Sequence, residues 1–382
     1  MRIQTKAIEN YILFIYIFLV LIGISILGSI TSFRFDNKDF IKQIIWILGS
    51  IPFFYLFYSI DFEKIRKTFF YLLFFGLLLL IATKIPPIGV TINNANRWIK
   101  IGSISFQPST FARIIFILYL AHFLSKNRKL IEKSNLGKFP QNFAFTTFIF
   151  LIFAGLILQE PDFSTTLILF MIWLSILFVA RIKFSTILVI FLLVVISATL
   201  YLEFGDKFRK TRYITFVKYN LGMNLSKEEI DKMHQPKEGL VALSNGRLFG
   251  KGGKKGRAKM FYLPFPKTDY VFGIVGEESG FIGSTILIIL YFFLILFALT
   301  LAQRADTLFA TLLIAGFTFN MAYNILVNIA VVTCLIPSTG VSLPFISYGG
   351  SAFLVDSISI AVILNLSKKS RRKYGKNQFQ IV

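Results

Sequence analysis

Ten stretches of this chain are apolar for long enough to cross, or nearly cross, the hydrocarbon core of a bilayer, and nothing else in it restricts the fold so tightly. They run near Tyr11 to Ile30, Ile41 to Ile60, Thr68 to Thr83, Pro108 to Leu124, Phe143 to Leu158, Phe163 to Ala180, Phe184 to Leu202, Glu278 to Ala302, Thr307 to Ile336 and Phe345 to Leu366. A spanning helix needs about 20 such residues. The ninth run is long enough to be tilted or interrupted, and the third to fifth are short. With 55% hydrophobic and 16% charged residues, a soluble domain would aggregate, so the expected class is an all-α polytopic membrane protein of about ten transmembrane helices. The first run ends in Ser32-Phe33-Arg34 without a small-residue cleavage pattern and is expected to be retained. A single cysteine, Cys334, leaves no intrachain disulfide and no thiolate metal site.

Charge orients the runs. A net charge of +22 would suggest nucleic acid in a soluble protein. Here the cations fall where cytoplasmic loops need them, so no nucleic-acid partner is expected. Arg2 and Lys6; Lys64, Arg66 and Lys67; Lys126, Arg128, Lys129, Lys133 and Lys138; Arg181 and Lys183; Arg304; and Lys368 to Lys376 share one side. Both termini are therefore expected in the cytoplasm, with residues 367–382 as a basic topology anchor on a single membrane domain spanning 1–382. The short loops Gln159 to Asp162 and Pro337 to Pro344 carry no Lys or Arg and belong outside. Between spans seven and eight, residues 203–277 form one long exoplasmic loop whose cations do not vote, because long loops translocate regardless of charge. Lys227 to Lys232 reads as a short surface helix in it. Further on, Gly239, Gly246, Gly250, Gly252, Gly253 and Gly256 alternate with Arg247, Lys251, Lys254, Lys255, Arg257 and Lys259. That pattern suits either phosphate binding through exposed N–H groups or a plain solvated loop.

Polar residues at the ends of apolar runs carry the candidate chemistry. Phe261 to Gly283 holds Asp269, Glu277 and Glu278 at the mouth of the eighth run. The glutamates suit a helix N-terminus through its dipole, whereas Asp269, between Pro264, Pro266 and the coming helix, is the candidate for chemistry. In Asn93 to Arg113, the pair Arg97-Trp98 lies on the outer side and Pro108 occupies a first-turn position. Arg113 then falls one to two turns inside its span, on the face of Ser109 and Thr110. A cation at that depth is costly unless it meets a cavity or partner, or snorkels. In Gln159 to Thr166, Asp162 sits in the first turn of the sixth run, either as a cap or as part of a site. Asn320, Asn324 and Asn328 form a stripe on one face of the ninth run, which means interhelical hydrogen bonding or cavity lining. The prolines and glycines of Ile336 to Ser351 indicate non-helical backbone at membrane depth, which must face protein or water.

Taken together, ANRWIKIGSISFQPS, EPDFSTT, NGRLFGKG, LPFPKTDYVFGIVGEESGFIG and NIAVVTCLIPSTGVSLPFISYGGS resemble, in order and position, the SEDS proteins (shape, elongation, division and sporulation), whose members include FtsW, RodA and SpoVE. The resemblance covers nearly the whole chain, and FYLP before Asp269 with GEE after it leans toward the division branch. It implies a ten-span enzyme of the bacterial cytoplasmic (inner) membrane that polymerises the lipid-linked precursor lipid II into peptidoglycan glycan strands. It also implies a class B penicillin-binding protein as transpeptidase partner, other divisome or elongasome membrane proteins, and membrane lipid. Residue by residue, it puts the essential loop aspartate at Asp269, the following glutamates at Glu277 and Glu278, and the aspartate between spans five and six at Asp162. The Arg-Trp pair falls on Arg97 and Trp98, and the SYGGS stretch on Ser347, Tyr348, Gly349, Gly350 and Ser351. Where the family usually has Glu and Lys, this chain has Thr110 and Arg113, which keeps the cation and removes a carboxylate that could pair with it. Ser164 and Cys334 stand where Gly is usual, Ala352 where Ser is, and Lys267 where His is common.

For this chemistry an acceptor hydroxyl must lose a proton, so Asp269 is the expected base, with Glu277 as helper and Glu278 as a structural partner. The departing diphosphate needs positive charge or a metal ion, which Arg113, Arg97 or a divalent cation such as Mg or Mn would supply. No cofactor is firmly implied. Competing classes are a flippase for the lipid-linked precursor and a non-catalytic scaffold of the cell-wall machinery.

Overall fold

A computed structural model describes residues 2–34, 37–86, 88–92, 95–102, 104–128, 139–160, 162–204, 207–253, 256, 258 and 266–379. Pro161, Phe261, Pro264, Lys129, Lys133, Lys138, Lys254, Lys255, Arg257 and Lys259 lie outside the described residues. The apolar runs become helices because only a helix satisfies its own backbone in lipid. They are α1 (Arg2–Arg34), α2 (Lys38–Ser59), α3 (Phe62–Ala82, with a 3₁₀ turn at Arg66–Thr68), α4 (Pro108–Lys126), α5 (Phe139–Leu158), α6 (Phe163–Val179) and α7 (Phe184–Phe204). After a long excursion come α10 (Val271–Gln303), α11 (Leu308–Val332) and α12 (Gly350–Phe379). Among the described residues seven of these are long and apolar enough to cross a membrane, and three shorter apolar helices fall at the fifth, sixth and seventh runs.

The helices sort by burial. Helices α4, α11 and α12 form the centre, and α11 packs against α4, α6, α10 and α12. Around them α1, α2, α3, α7 and α10 turn rows of Phe, Leu and Ile outward. Apolar side chains facing out are stable only against lipid, so the pattern fits a helical bundle in a bilayer.

One end of the bundle is basic and tied by ion pairs. Arg371 binds Glu9 at 3.0 Å, Lys369 binds Asp61 at 2.7 Å, and Lys373 binds Asp306 at 3.2 Å. Arg66 donates to Ser125 Oγ at 2.9 Å and to Glu63 at 3.1 Å. Arg66, Arg304, Lys369, Arg371 and Lys373, assigned to one side from the sequence, thus gather at one end. The segment expected as a tail continues α12 as helix to Phe379.

Four expectations are corrected. The all-α assignment misses a three-stranded antiparallel sheet before α4, of β1 (Gly89–Ile92), β2 (Ala95–Ile101) and β3 (Ile104–Phe106). Its reason is local: Ile99 is buried between exposed Lys100 and half-buried Trp98, the period-two alternation of a strand with one covered face. The long loop is substantially helical, with α8 (Lys207–Asn220) and α9 (Lys227–Gly246), the latter opened by a Ser226/Glu229 capping box. The eighth helix begins at Val271 rather than Glu278, because Val271 to Val275 extends the apolar pattern backwards. The last two helices are trimmed to Val332 and Gly350, and the intervening segment with Pro337, Gly340 and Pro344 is non-helical.

Inside α10 the ladder is broken at Gly280, whose φ of 69° and ψ of −166° lie where only glycine is at ease. The N–H groups of Phe281 and Ile282, which would have bonded to Glu277 and Glu278, donate instead to Arg247 O (2.8 Å) and Leu248 O (3.1 Å). The orphaned carbonyls of Glu277 and Glu278 accept from Lys251 N (2.9 Å) and Gly252 N (3.0 Å). Two helical bonds are thereby replaced by four bonds to the glycine-rich segment, leaving those backbone groups satisfied. The amides of Lys251 and Gly252 are consumed in this way, which removes them from the phosphate-binding reading.

Candidate functional site

At the end opposite the ion-pair belt, Asp269 lies in a turn just ahead of α10 and is half-buried. Its position is set by bonds to its backbone. Asn328 Nδ2, one turn from the end of α11, donates to Asp269 O at 2.9 Å and to Val341 O at 2.7 Å. Ser347 Oγ donates to Thr268 O at 2.6 Å and accepts from Leu343 N at 2.8 Å. Tyr348 N donates to Lys267 O at 2.7 Å, while the Lys267 ammonium pairs with Asp39 on α2 and lies 5.5 Å from the Tyr348 ring centre. A turn from one loop is thus stitched to the Val341–Gly349 segment of another. Two residues of that return loop, Cys334 (φ 56°) and Phe345 (φ 67°), hold left-handed backbone that side chains disfavour.

The Asp269 carboxylate accepts a hydrogen bond from the Thr268 side chain and feels the charges of Arg97 on β2 and Arg212 on α8. Burial pushes its pKa up to about 6, against the pull of Thr268 and both arginines. Arg212 is exposed, donates to Ser338 Oγ, and lines a small cleft with Lys232, Pro236 and Pro337. Arg97 Nε donates to Glu160 O at 2.9 Å. Glu160 is itself buried, with Oε1 accepting from Thr83 Oγ1 at 3.0 Å, and desolvation raises its pKa to about 8. Trp98 pairs with Val90 across the sheet and is half-buried.

Asp162 caps α6, accepting from Thr165 N (3.1 Å) and Thr165 Oγ1 (2.8 Å), and takes a third bond from Gln107 Nε2 (3.0 Å) at the start of α4. Its charge reaches Arg113, five residues into α4, whose Nη1 donates to Asn324 Oδ1 at 3.0 Å. Arg113 is 6% exposed, and its Nε has no partner among the described residues. The cation therefore does not snorkel. Overlapping charge interactions run from Asp269 through Arg97, Glu160 and Asp162 to Arg113, bordered by the asparagine stripe of α11.

Other expected site residues go elsewhere. Glu277, expected beside Asp269, is buried and accepts the Ala258 amide at 2.9 Å, binding the glycine-rich segment to α10. Glu278 Oε1 accepts from Ser29 Oγ on α1 at 2.7 Å, the structural part expected of it. Gly349 N donates to Gln43 Oε1 of α2 at 3.2 Å, and Gly350 lies so close to Trp46 that a Cβ would collide with its ring. Ser351 is buried in the first turn of α12. Arg212, Glu160 and Asp356 escaped sequence reading; for Asp356 the available signal was a carboxylate inside an apolar run. Among the described residues no three His, Cys, Asp or Glu converge, and the charges acting on Asp269 are cationic, so these residues by themselves form no carboxylate cage for a divalent ion.

The bundle and its charged end define a multi-pass membrane protein with a polar site built from loops and helix starts. The family model FTSW_RODA_SPOVE, described as cell cycle protein, matches residues 5–372. This chain belongs to that family. It is 33% identical over 312 residues to a probable peptidoglycan glycosyltransferase FtsW of Trichlorobacter lovleyi, covering 81% of this chain and 78% of that one. To stage V sporulation protein E of Bacillus subtilis it is 31% identical over 378 residues, covering 96% and 99%. Among solved structures, a chain from a study of how a peptidoglycan synthase complex coordinates polymerization and crosslinking superposes with TM-score 0.77 at 23% identity, covering 94% of this chain and 97% of that chain. The rod shape determining protein RodA of Thermus thermophilus gives 0.67 at 23%, covering 94% and 96%. At these identities the structures establish a shared fold.

Proposed function

We propose that this protein is a peptidoglycan glycosyltransferase of the bacterial cytoplasmic membrane that polymerises lipid II, with ten spans, both termini in the cytoplasm and Asp269 on the exoplasmic side. The carrying observation is Asp269 itself, half-buried beside Arg97 and Arg212 at the end of the bundle remote from the basic belt. Its raised pKa suits a base working near neutral pH. In the reaction the Asp269 carboxylate takes the proton of the acceptor 4-hydroxyl, and the oxygen attacks the donor's anomeric carbon. The bond from that carbon to the undecaprenyl diphosphate then breaks, and the cations balance the charge that develops on the leaving group. Arg97 and Arg212 meet the outer part of the substrate, and Arg113 meets a diphosphate that enters between the helix ends. A divalent cation at this point would draw most of its ligands from diphosphate oxygens.

The curated relatives named as glycosyltransferases support the reaction class, and the fold shared with a chain of a peptidoglycan synthase complex supports a class B penicillin-binding protein as partner. The test is purified protein, with and without its cognate transpeptidase, incubated with lipid II and assayed for glycan chains by gel. Glycan from the wild type and none from a folded Asp269→Ala protein is expected. Normal polymerisation by Asp269→Ala would remove the assignment, and transbilayer movement of lipid II without polymer would favour a flippase.

A further inference from the structure

Arg113 is a full positive charge inside the helical core, and a cation there is retained only where carboxylates offset its desolvation. Two carboxylates act on it, Asp162 and Asp356. Asp162 already receives three hydrogen bonds, from Thr165 N, Thr165 Oγ1 and Gln107 Nε2. Asp356 is different. It sits on α12, is 3% exposed, and among the described residues the cation acting on it is Arg113. The two lie at comparable depth: Arg113 follows Pro108 by five residues, about 7.5 Å along α4, and Asp356 follows Gly350 by six, about 9 Å along α12. Helices α4 and α12 pack against each other, and both helices begin at the end that holds Asp269. The neighbouring Ser357 Oγ lies 3.1 Å from Tyr16 Oη, which ties this turn of α12 to α1.

We infer that Asp356 is the counter-ion of Arg113, a positioning residue that holds the guanidinium charged and aimed between Asn324 and Asp162. An Asp at 356 without Arg113 would be an unpaired buried anion, and Arg113 without Asp356 would be left with Asp162 alone, a carboxylate that already takes three other hydrogen bonds. The role in substrate binding rests on the polymerase reading; the charge coupling of Arg113 to Asp356 does not.

Two measurements on the full chain separate these. The first is a double-mutant cycle in thermal unfolding, using Arg113→Gln, Asp356→Asn and the pair together. Each single change should lower the unfolding temperature by several degrees, and the double change should cost less than the sum. The second is lipid II polymerisation at varied substrate concentration. Asp356→Asn should raise KM about tenfold with little change in kcat, because it misplaces a binding charge and leaves the base alone. Adding Thr110→Glu to Asp356→Asn should restore KM to within about threefold, since residue 110 lies one turn before Arg113 on the same face and a carboxylate there replaces the lost one. Additive unfolding shifts, or a normal KM in folded Asp356→Asn, would overturn the inference. If Asp356→Asn is not recovered folded, the Arg113→Met/Asp356→Leu protein decides: its recovery in folded form supports the pair, and its loss overturns it. Wild-type protein that makes no glycan would refute the polymerase reading alone, and the unfolding cycle would then decide the pair.

Discussion

Lowering the pH from 7 to 5 should slow polymerisation about tenfold, and the reason lies in the half-buried position of Asp269. With its pKa pushed up to about 6 by burial, the carboxylate is about nine-tenths ionised at pH 7 and about one-tenth ionised at pH 5. An aspartate at its ordinary value would lose only about 6% of its ionised form over the same interval. The assay is kcat/KM for lipid II at half-unit steps between pH 5 and 8, with pH-jump controls showing that the protein remains folded. The same shift bears on stability. A carboxyl whose folded pKa is raised contributes stability that is fully present below its unfolded value, near 4, and is lost as pH rises through about 6. At pH 7 the ionised group therefore costs up to about 3 kcal/mol, the attraction of Arg97 and Arg212 being already included. Asp269→Asn should consequently be inactive and yet melt higher than wild type at pH 7, with the difference vanishing toward pH 4. A profile flat down to pH 5, or an Asn protein that is both inactive and less stable at pH 7, would refute the reasoning.

Three further outcomes follow from other contacts. Gly280→Ala forces a Cβ into left-handed backbone against the Gly250 amide and the Leu248 carbonyl, so it should destabilise by at least about 1–2 kcal/mol and lower the folded yield in detergent. Asn328→Ala removes two bonds at once and leaves the carbonyls of Asp269 and Val341 without that donor; a loss of about 1–3 kcal/mol is expected, with a fall in kcat larger than any rise in KM. Asp162→Asn keeps an oxygen to cap α6 while removing one of the two charges acting on buried Arg113, so KM should rise and the unfolding temperature should fall, and Asp162→Ala should cost about 1 kcal/mol more through the lost cap.

Much of this architecture was legible because lipid is an undemanding solvent for apolar side chains and a strict one for backbone. Runs of about 20 apolar residues have only the helix open to them, so their places and the clustering of Arg66, Arg304 and Arg371 at one end could be read by counting. Asp269 stands out as a candidate for a related reason, as an acid at the mouth of a span between a pair of prolines and the coming helix. The sheet of Gly89 to Phe106 was less legible, since its period-two pattern is short and sits beside much stronger helical signals.

What only the tertiary structure decided is who meets whom across the chain. Glu277 and Glu278 are neighbours in sequence, yet one takes the Ala258 amide and the other Ser29. For the glycine-rich segment, composition leaves a phosphate cradle and a plain solvated loop equally open because it cannot say where an N–H will be spent, and the break at Gly280 spends those of Lys251 and Gly252. Arg113 and Asp356 stand 243 positions apart, and no local pattern couples them. Periodicity is a property of one segment and can be read along it. Pairing of buried charges depends on which helices pack and at what depth, and that is determined by the whole bundle at once.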